Sequence, residues 1–219
     1  MVSTEELLAH VGLFERATPA ELALVASKSY VKAIARGQVL FSEGEPGDHL
    51  FVVAAGRVKV TVGSERGERL TLAVLKPGDS LGEMSVLDGS PRSATVEALD
   101  DARLVCVPSM VWLNLLQTSP AVCLALAEDL AARVRSLSNN AANLVFLDLP
   151  RRLANLLVTS SSSSGEVLFS QAEVAEQLGV TRPSLNRALS GLVRRQWVEV
   201  MRGRVIILEP AALAAFAQS

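Results

Sequence analysis

The chain has 219 residues and a formal net charge of −2, with 49% hydrophobic and 20% charged residues. This balance excludes an intrinsically disordered chain, and the length suggests about two domains. Two cysteines and two histidines, none in a metal-ligand spacing, exclude a disulfide framework and predict no metal site. The N-terminus has no basic and apolar leader, so we expect a cytoplasmic protein.

Charge is unevenly distributed along the chain. Residues 149–219 contain eight arginines and five glutamates, a net charge of +3 that leaves the remainder acidic. A basic C-terminal module on an acidic body is typical of a DNA-binding domain joined to a sensor. Residues 104–127 contain no charge, but prolines and polar residues interrupt them, so we expect buried core and helix there, not a membrane span.

The elements follow in chain order. Apolar spacing predicts helix within residues 3–35, and from residue 37 to residue 107 short β-rich runs alternate with turn residues. Strands this short and evenly punctuated predict an antiparallel barrel or sandwich. The predicted strands are Val39–Phe41, Leu50–Val53, Val58–Val62, Leu70–Leu75, Ala94–Ala98 and Leu104–Val107.

A long helix is predicted from Pro120 to about Phe146. Its apolar residues repeat at alternating spacings of four and three, which indicates either a two-helix coiled coil or a helix packed on its own domain; we favour a parallel homodimer. The seam consists of Cys123, Ala127, Leu130, Val134, Leu137, Ala141 and Leu144. Residues 147–150 then form a predicted hinge, and Ser160–Ser164 a serine-rich loop.

The C-terminal region predicts a helix-turn-helix. Ser170 and Glu173 fit a capping box, Gly179 ends that helix, and Thr181 caps a second helix with Pro183 in its first turn. The second helix should expose Arg182, Ser184, Asn186 and Arg187. Two predicted strands, residues 197–200 and 205–208, add a hairpin whose tip carries Arg202 and Arg204, which completes a winged helix suited to phosphate contacts.

The stretch at residues 77–96 combines an acid and an arginine on a framework of small residues. Glu83 could accept hydrogen bonds from a ribose hydroxyl, and the guanidinium of Arg92 matches phosphate oxygens two at a time. Ser93 and nearby backbone amides could complete an anion nest. The alternative is a surface salt bridge between the acid and the arginine.

The order Gly82-Glu83, Pro91-Arg92 and Ser93-Ala94 resembles the phosphate-binding cassette of cyclic-nucleotide-binding domains. With the long helix and the winged helix, the whole chain resembles the CRP/FNR family of bacterial transcription regulators, most of all its cyclic-AMP receptor branch. The resemblance implies an α+β fold. It consists of an antiparallel β-roll sensor (residues 1–119), a dimerisation helix and hinge (120–147) and a winged helix-turn-helix (148–219).

The resemblance also implies two sets of site residues. The cyclic nucleotide, cyclic AMP or cyclic GMP, would contact the cassette and the long helix at Gly82, Glu83, Met84, Ser85, Arg92, Ser93, Ala94, Leu137 and Ser138. A homodimer would bind a pseudo-palindromic duplex through Thr181, Arg182, Pro183, Ser184, Asn186, Arg187, Arg202 and Arg204. Arg182 and Arg187 match the family's two basic readers, each suited to a guanine edge.

Two departures from the family pattern keep alternatives open. Leu137 stands where cyclic-AMP receptors offer a threonine to adenine, which leaves the preferred base open and raises the alternative of a regulator whose DNA binding is largely independent of nucleotide. Pro183 stands where the family has an acidic reader, so the DNA site should differ at that base pair.

Other functions fit the residues less well. An iron–sulfur sensor needs four cysteines, and His49 in a turn is a poor haem ligand, so neither cofactor is expected. Phosphodiester hydrolysis would need metal ligands or a positioned base, so we expect no enzyme. A module that contacts proteins through its second helix is a further alternative, and whether the serine-rich loop meets RNA polymerase, as in family activators, stays open.

Overall fold

The computed structural model describes residues 3–63, 69–162, 164–168 and 170–218. The chain forms two compact units: the first runs to Val134 apart from the start of one strand, and the second begins at Arg135. A long helix, α5, contributes to both units.

The N-terminal segment begins with helices and ends as a strand. Helix α1 (Thr4–Ala9), a 3-10 turn (Gly12–Phe14) and helix α2 (Pro19–Lys28) are followed by strand β1 (Tyr30–Ile34). Both α-helices begin with a reciprocal capping box, Ser3 with Glu6 and Thr18 with Glu21. The expectation of helix up to residue 35 was wrong at β1, because pairing with another strand overrides the local apolar spacing there.

Antiparallel strands form the centre of the first unit. Within the described residues the strands are β2 (Val39–Phe41), β3 (His49–Ala55), β4 (Val58–Gly63), β5 (Arg69–Leu75), β6 (Ser80–Leu81), β7 (Thr95–Ala98) and β8 (Ala102–Pro108). They form two sheets, with strand orders β1-β8-β3-β6 and β2-β7-β4-β5. The six predicted strands are confirmed with ends that shift by one or two residues, whereas β6 was not predicted. It pairs over two residues with β3.

Helices cover the sheet and lead out of the first unit. Helix α3 (Glu83–Asp88) follows β6, and α4 (Ser109–Thr118) and α5 (Pro120–Phe146) follow β8. Trp112 and Val122 are fully buried, which confirms the expectation of core and helix in the uncharged stretch. Among the described helices none is by itself long and apolar enough to cross a membrane; α4 and α5 meet that requirement only when taken together, across a 111° bend.

The second unit contains the predicted helix-turn-helix and hairpin. Its elements after α5 are α6 (Leu149–Ser160), β9 (Glu166–Leu168), α7 (Gln171–Leu178), α8 (Arg182–Arg194), β10 (Val198–Met201), β11 (Arg204–Ile207) and α9 (Pro210–Gln218). Strand β9 was not predicted and makes the hairpin a sheet of order β10-β11-β9. The predicted serine loop is shorter than expected because Ser160 ends α6, and Ser163 lies outside the described residues.

The turn between α7 and α8 follows most of the sequence expectation. Gly179 has a φ of 63° and ends α7, and the Thr181 side chain accepts a hydrogen bond from the Ser184 amide at the start of α8. Ser170 is the N-cap residue of α7, but its side chain makes no capping hydrogen bond, so the predicted capping box is wrong there. Leu185, Leu189 and Leu192 are buried as predicted, and they fix which face of α8 points outward.

Candidate nucleotide and nucleic-acid sites

A left-handed glycine turn positions the cassette. Gly82 has a φ of 82° and precedes the first residue of α3, so the backbone turns sharply from β6 into the helix. A Cβ at this position would lie 2.5 Å from Nη1 of Arg92. A Cβ at Gly47 would overlap the side chain of Ser85 and approach the Arg92 guanidinium. The glycines therefore allow the backbone to close around the arginine.

Arg92 is enclosed rather than extended into solvent. It is 3% exposed, its Nη1 donates to the Gly82 carbonyl at 2.8 Å, and its Nη2 donates to the His49 carbonyl at 2.9 Å. The guanidinium carbon lies 4.3 Å from the centre of the Phe41 ring and 5.4 Å from that of Phe51. Its Nε has no hydrogen-bond partner among the described residues.

Burial and nearby carboxylates have opposite effects on the pKa of Arg92. Burial lowers the pKa of the Arg92 guanidinium, whereas the charges of Asp48, Glu83 and Glu45 raise it. A cation held in a partly desolvated pocket with a free donor is suited to an anion, because a phosphate replaces lost water with charge-assisted hydrogen bonds.

Glu83 is the second buried charge of the cassette. It is 3% exposed, and its Oε1 accepts a hydrogen bond at 3.0 Å from Nη1 of Arg133 on α5. Its Oε2 has no partner among the residues that the structure describes. The predicted alternative, a surface salt bridge between Glu83 and Arg92, is wrong, because both side chains are buried and Glu83 pairs with Arg133 instead.

Arg133 was not predicted as a residue of this site. Its Nη2 donates to the Ser80 carbonyl at 2.9 Å, and its Nε lies 2.9 Å from a carboxylate oxygen of Asp129. The signal was in the helix pattern, because Val122, Leu126 and Asp129 precede Arg133 at spacings of four, three and four on the side of α5 that faces the sensor. A cation on that face needs acceptors, and Asp129, Glu83 and the Ser80 carbonyl supply them.

The other candidate cassette residues differ in accessibility. Ser85 and Ala94 are buried, whereas Met84 is 51% exposed and Ser93 is exposed. The structure thus brings Gly82, Glu83, Ser85 and Arg92 together in one place and leaves Ser93 at the surface beside them.

The candidate base-contacting residues lie on α5 beyond Arg133. Leu137 and Ser138 are adjacent and lie about one turn after Arg133. Leu137 is 54% exposed, and Ser138 is also exposed. They belong to the second unit, as do Leu144 and the other seam residues after Val134. Val134 is 61% exposed and Leu144 is 57% exposed, so the predicted seam from Val134 onward is an uncovered apolar stripe in the single chain. Leu130, earlier in the seam, packs partly against the core of the first unit.

The candidate DNA-binding residues of α8 point outward. Thr181, Arg182, Pro183, Asn186 and Arg187 are exposed, and Ser184 is half-buried. Nη2 of Arg187 donates to the Ser184 hydroxyl at 3.3 Å.

The two arginines of the hairpin differ in their partners. Arg202 is exposed and makes no hydrogen bond or ion pair with the other described residues. Arg204 lies in β11, and its Nη1 is 3.3 Å from the Glu166 carboxylate on β9. Arg202 is therefore free for a phosphate, whereas Arg204 is already engaged.

Comparison with known proteins agrees with both units. Residues 31–119 match the cyclic nucleotide-binding domain, and residues 151–216 match the Crp-like helix-turn-helix domain. The chain is 29% identical over 219 residues to a CRP-like cAMP-activated global transcriptional regulator of Mycobacterium tuberculosis, covering 96% of this chain and 98% of that protein. It is 31% identical over 207 residues to the cyclic AMP receptor protein of Thermus thermophilus, covering 94% and 96%.

Solved structures share the architecture. A putative transcriptional regulator of the CRP/FNR family from Eubacterium rectale superimposes with a TM-score of 0.77 at 20% identity, covering 96% of this chain and 99% of that one. At this identity the likeness concerns the fold alone.

Proposed function

The chain belongs to the CRP/FNR family of bacterial transcription regulators, and from that premise we propose that it is a homodimer whose binding to a pseudo-palindromic DNA site is controlled by a cyclic nucleotide. Its domains and relatives are those of a DNA-binding regulator and not of an enzyme. The observation that carries the nucleotide part is a pair of buried polar atoms without partners among the described residues, Oε2 of Glu83 and Nε of Arg92.

These two atoms have the chemistry that a ribose phosphate needs. A carboxylate oxygen accepts from a ribose hydroxyl, and a guanidinium donates to a phosphate oxygen. A buried polar atom without a partner costs about 1–3 kcal/mol, so a ligand that satisfies both atoms recovers that cost on binding. We assign the phosphate to Arg92 and Ser93 and the ribose to Glu83 and Gly82, with Met84, Ser85 and Ala94 forming the surrounding wall.

Cyclic AMP is the first candidate effector and cyclic GMP the second. Relatives that this chain resembles over nearly their full length are named for cyclic AMP. On α5 the hydroxyl of Ser138 offers one polar contact to the base, whereas the Leu137 side chain has no donor or acceptor. The base is therefore held mainly by packing in this proposal, and we expect weaker discrimination between adenine and guanine than a two-hydroxyl site would give.

The dimer is proposed from the exposed seam of α5. Val134, Leu137 and Leu144 are each more than half exposed and follow the heptad spacing. Pairing two such helices removes this apolar stripe from water. It also places two copies of α8 in a symmetric arrangement, as two half-sites about one DNA turn apart require.

Calorimetric titration of the full chain with cyclic AMP and with cyclic GMP tests the nucleotide. Arg92→Ala should weaken binding of the preferred nucleotide by about 10- to 150-fold, the equivalent of roughly 1.5–3 kcal/mol for a lost charged hydrogen bond. Arg36→Ala, an exposed arginine in the turn after β1, is the control and should bind as the wild type does. Absence of heat with either nucleotide from a folded protein would contradict the proposed effector.

Fluorescence anisotropy with a labelled duplex tests the regulation. The affinity for DNA should rise when the preferred nucleotide is added. It should fall steeply as the salt concentration rises, because arginine contacts to DNA phosphates release cations that were bound to the DNA. Equal affinity with and without nucleotide would favour the alternative regulator whose DNA binding is largely independent of nucleotide. The residue that favours this alternative is Leu137. Binding that is insensitive to salt would instead indicate a module for protein contacts.

A further inference from the structure

The outward face of α8 carries a side-chain amide that makes no hydrogen bond with the other described residues. Arg182 and Asn186 are exposed and lie one helical turn apart, while Leu185 and Leu189 hold the opposite face in the core. Neither the Asn186 amide nor the Arg182 guanidinium makes a hydrogen bond with the other described residues. Arg187 differs, because Ser184 already takes one of its donors.

The side chains on this face can recognise two different bases. Arginine pairs with the two acceptors of a guanine edge, whereas an asparagine amide offers one donor and one acceptor, the complement of adenine N7 and N6. Pro183 has no polar side-chain group, so this position offers no carboxylate to accept a hydrogen bond from cytosine. Asn186 is therefore the neutral polar reader on the exposed face, one turn after the first arginine.

We propose that Asn186 reads an adenine in each half-site of the DNA, within about two base pairs of the guanine read by Arg182. The spacing follows from geometry, because four residues advance a helix by about 6 Å and base pairs are stacked about 3.4 Å apart. The inference rests on the proposed function and deepens it, since it specifies a base that a helix carrying Pro183 and Asn186 should select.

The test is selection of binding sites from a duplex library with randomised half-sites, using the full chain with saturating cyclic AMP, with cyclic GMP and with no nucleotide. The wild type should enrich an adenine at one position of each half-site by about tenfold over the other bases. Asn186→Ala should lose that preference while the guanine preferences remain. Ser190→Ala, one turn further along the exposed face, is the matched control and should leave the adenine preference unchanged.

A change of base gives the sharper readout. Asn186→Asp replaces the amide by a carboxylate, which only accepts hydrogen bonds, so the preference should move from adenine towards cytosine, whose N4 is a donor. Overall affinity should also fall because a negative charge approaches the phosphates, but a purely structural role of Asn186 would not change the base selected. Asn186→Gln keeps the amide and should retain a preference for adenine.

The outcomes separate this inference from the function on which it rests. If wild type, Asn186→Ala and Asn186→Asp all enrich the same bases, guanines among them, the assignment of adenine is overturned and the regulator stays intact. A wild-type protein that enriches no sequence under any nucleotide condition, with binding insensitive to salt, overturns both.

Discussion

Nη1 of Arg133 donates a hydrogen bond to Oε1 of Glu83 at 3.0 Å, and this contact joins helix α5 to the cassette that the sequence assigns to a cyclic nucleotide. The same arginine donates to the Ser80 carbonyl at the end of β6. Glu83 is 3% exposed, so loss of this partner would leave a buried carboxylate without its charged donor. Under the proposed function, a nucleotide that binds Glu83 would therefore contact the partner of Arg133, which lies on the helix proposed to form the dimer.

Loss of this arginine should destabilise the first unit. Arg133→Ala leaves the buried Glu83 carboxylate without its charged donor, and we expect about 1–3 kcal/mol less stability towards unfolding. Urea denaturation followed by Trp112 fluorescence in a Trp197→Phe background reports the first unit, because Trp112 lies in its core. Arg16→Ala is the control: its 2.8 Å contact with Glu128 is exposed on both sides and should matter by less than about 1 kcal/mol. Equal losses of stability for Arg133→Ala and Arg16→Ala would contradict the idea that burial of Glu83 makes its contact with Arg133 important.

Two left-handed glycines allow a matched test of the cassette. Gly82→Ala and Gly89→Ala both introduce a side chain at positive φ, at a cost of about 1–2 kcal/mol each. At Gly89 nothing lies within 4 Å of the new Cβ, whereas at Gly82 it meets Nη1 of Arg92 at 2.5 Å. Gly82→Ala should therefore weaken nucleotide binding by tenfold or more in calorimetry, about 1.4 kcal/mol, beyond any effect of Gly89→Ala. If the two variants bind nucleotide equally well, the position of Arg92 is not what the pocket needs.

Local patterns predicted the long helix and most strands because they depend on short-range signals. The helix from Pro120 to Phe146 has the predicted bounds, since a proline in the first turn and a heptad repeat define it locally. Strand β1 was predicted as helix, and β9 was not predicted at all. Both pair with distant strands, β8 and β11, and such pairing is invisible to a periodicity argument.

The candidate site was predictable by residue type but not by partner. Glu83 and Arg92 stand out by their spacing among small residues, and a salt bridge between the two was the alternative to a phosphate-binding cassette. Instead the glycine turn at Gly82 lets backbone carbonyls bind Arg92, and Arg133 binds Glu83 from a helix fifty residues away. Side-chain partners of this kind depend on the packing of α5 against the sheet, which no local motif encodes.

A charge in the seam of α5 should dissociate the proposed dimer. Val134→Glu puts two carboxylates opposite each other where the seam of the two helices is apolar, and we expect monomers at micromolar concentration in sedimentation-velocity experiments. Asn139→Glu adds the same charge at an exposed position opposite the seam and should sediment as the wild type does. A wild-type protein that is monomeric, or a Val134→Glu variant that stays dimeric, would contradict this seam.

Acid should remove the contribution to stability of the ion pair between Arg57, just before β4, and Asp100, between β7 and β8. Arg57 donates to both carboxylate oxygens of Asp100, at 2.7 and 3.0 Å, and these hydrogen bonds hold the pKa of Asp100 below its ordinary value. A carboxyl group whose pKa is lower in the folded state stabilises it above the unfolded pKa, near 4, and loses that effect as the pH falls through the folded value. Asp100→Asn should therefore be less stable than the wild type at pH 7.

The difference between Asp100→Asn and the wild type should narrow as the pH falls below about 4. Urea midpoints measured between pH 7 and pH 3.5 by Trp112 fluorescence follow it. Glu15→Gln, at an exposed carboxylate without a hydrogen bond to the other described residues, is the control and should have the urea midpoint of the wild type at pH 7. A constant gap between Asp100→Asn and the wild type across this range would mean that the charge of Asp100 is not what stabilises the contact.

The hairpin arginines should differ in their effect on DNA affinity. Arg202 is exposed and unpaired among the described residues, so Arg202→Ala should weaken binding to all duplex sequences alike. The salt slope should fall by about 2, because the proposed dimer loses one phosphate contact in each subunit. Arg204 forms an ion pair with Glu166 at 3.3 Å, so Arg204→Ala should reduce the salt slope by less than Arg202→Ala does. Glu166→Gln frees Arg204 and should steepen the salt dependence. Anisotropy titrations from about 50 to 200 mM salt measure all three slopes, and a larger loss from Arg204→Ala than from Arg202→Ala would reverse the assignment.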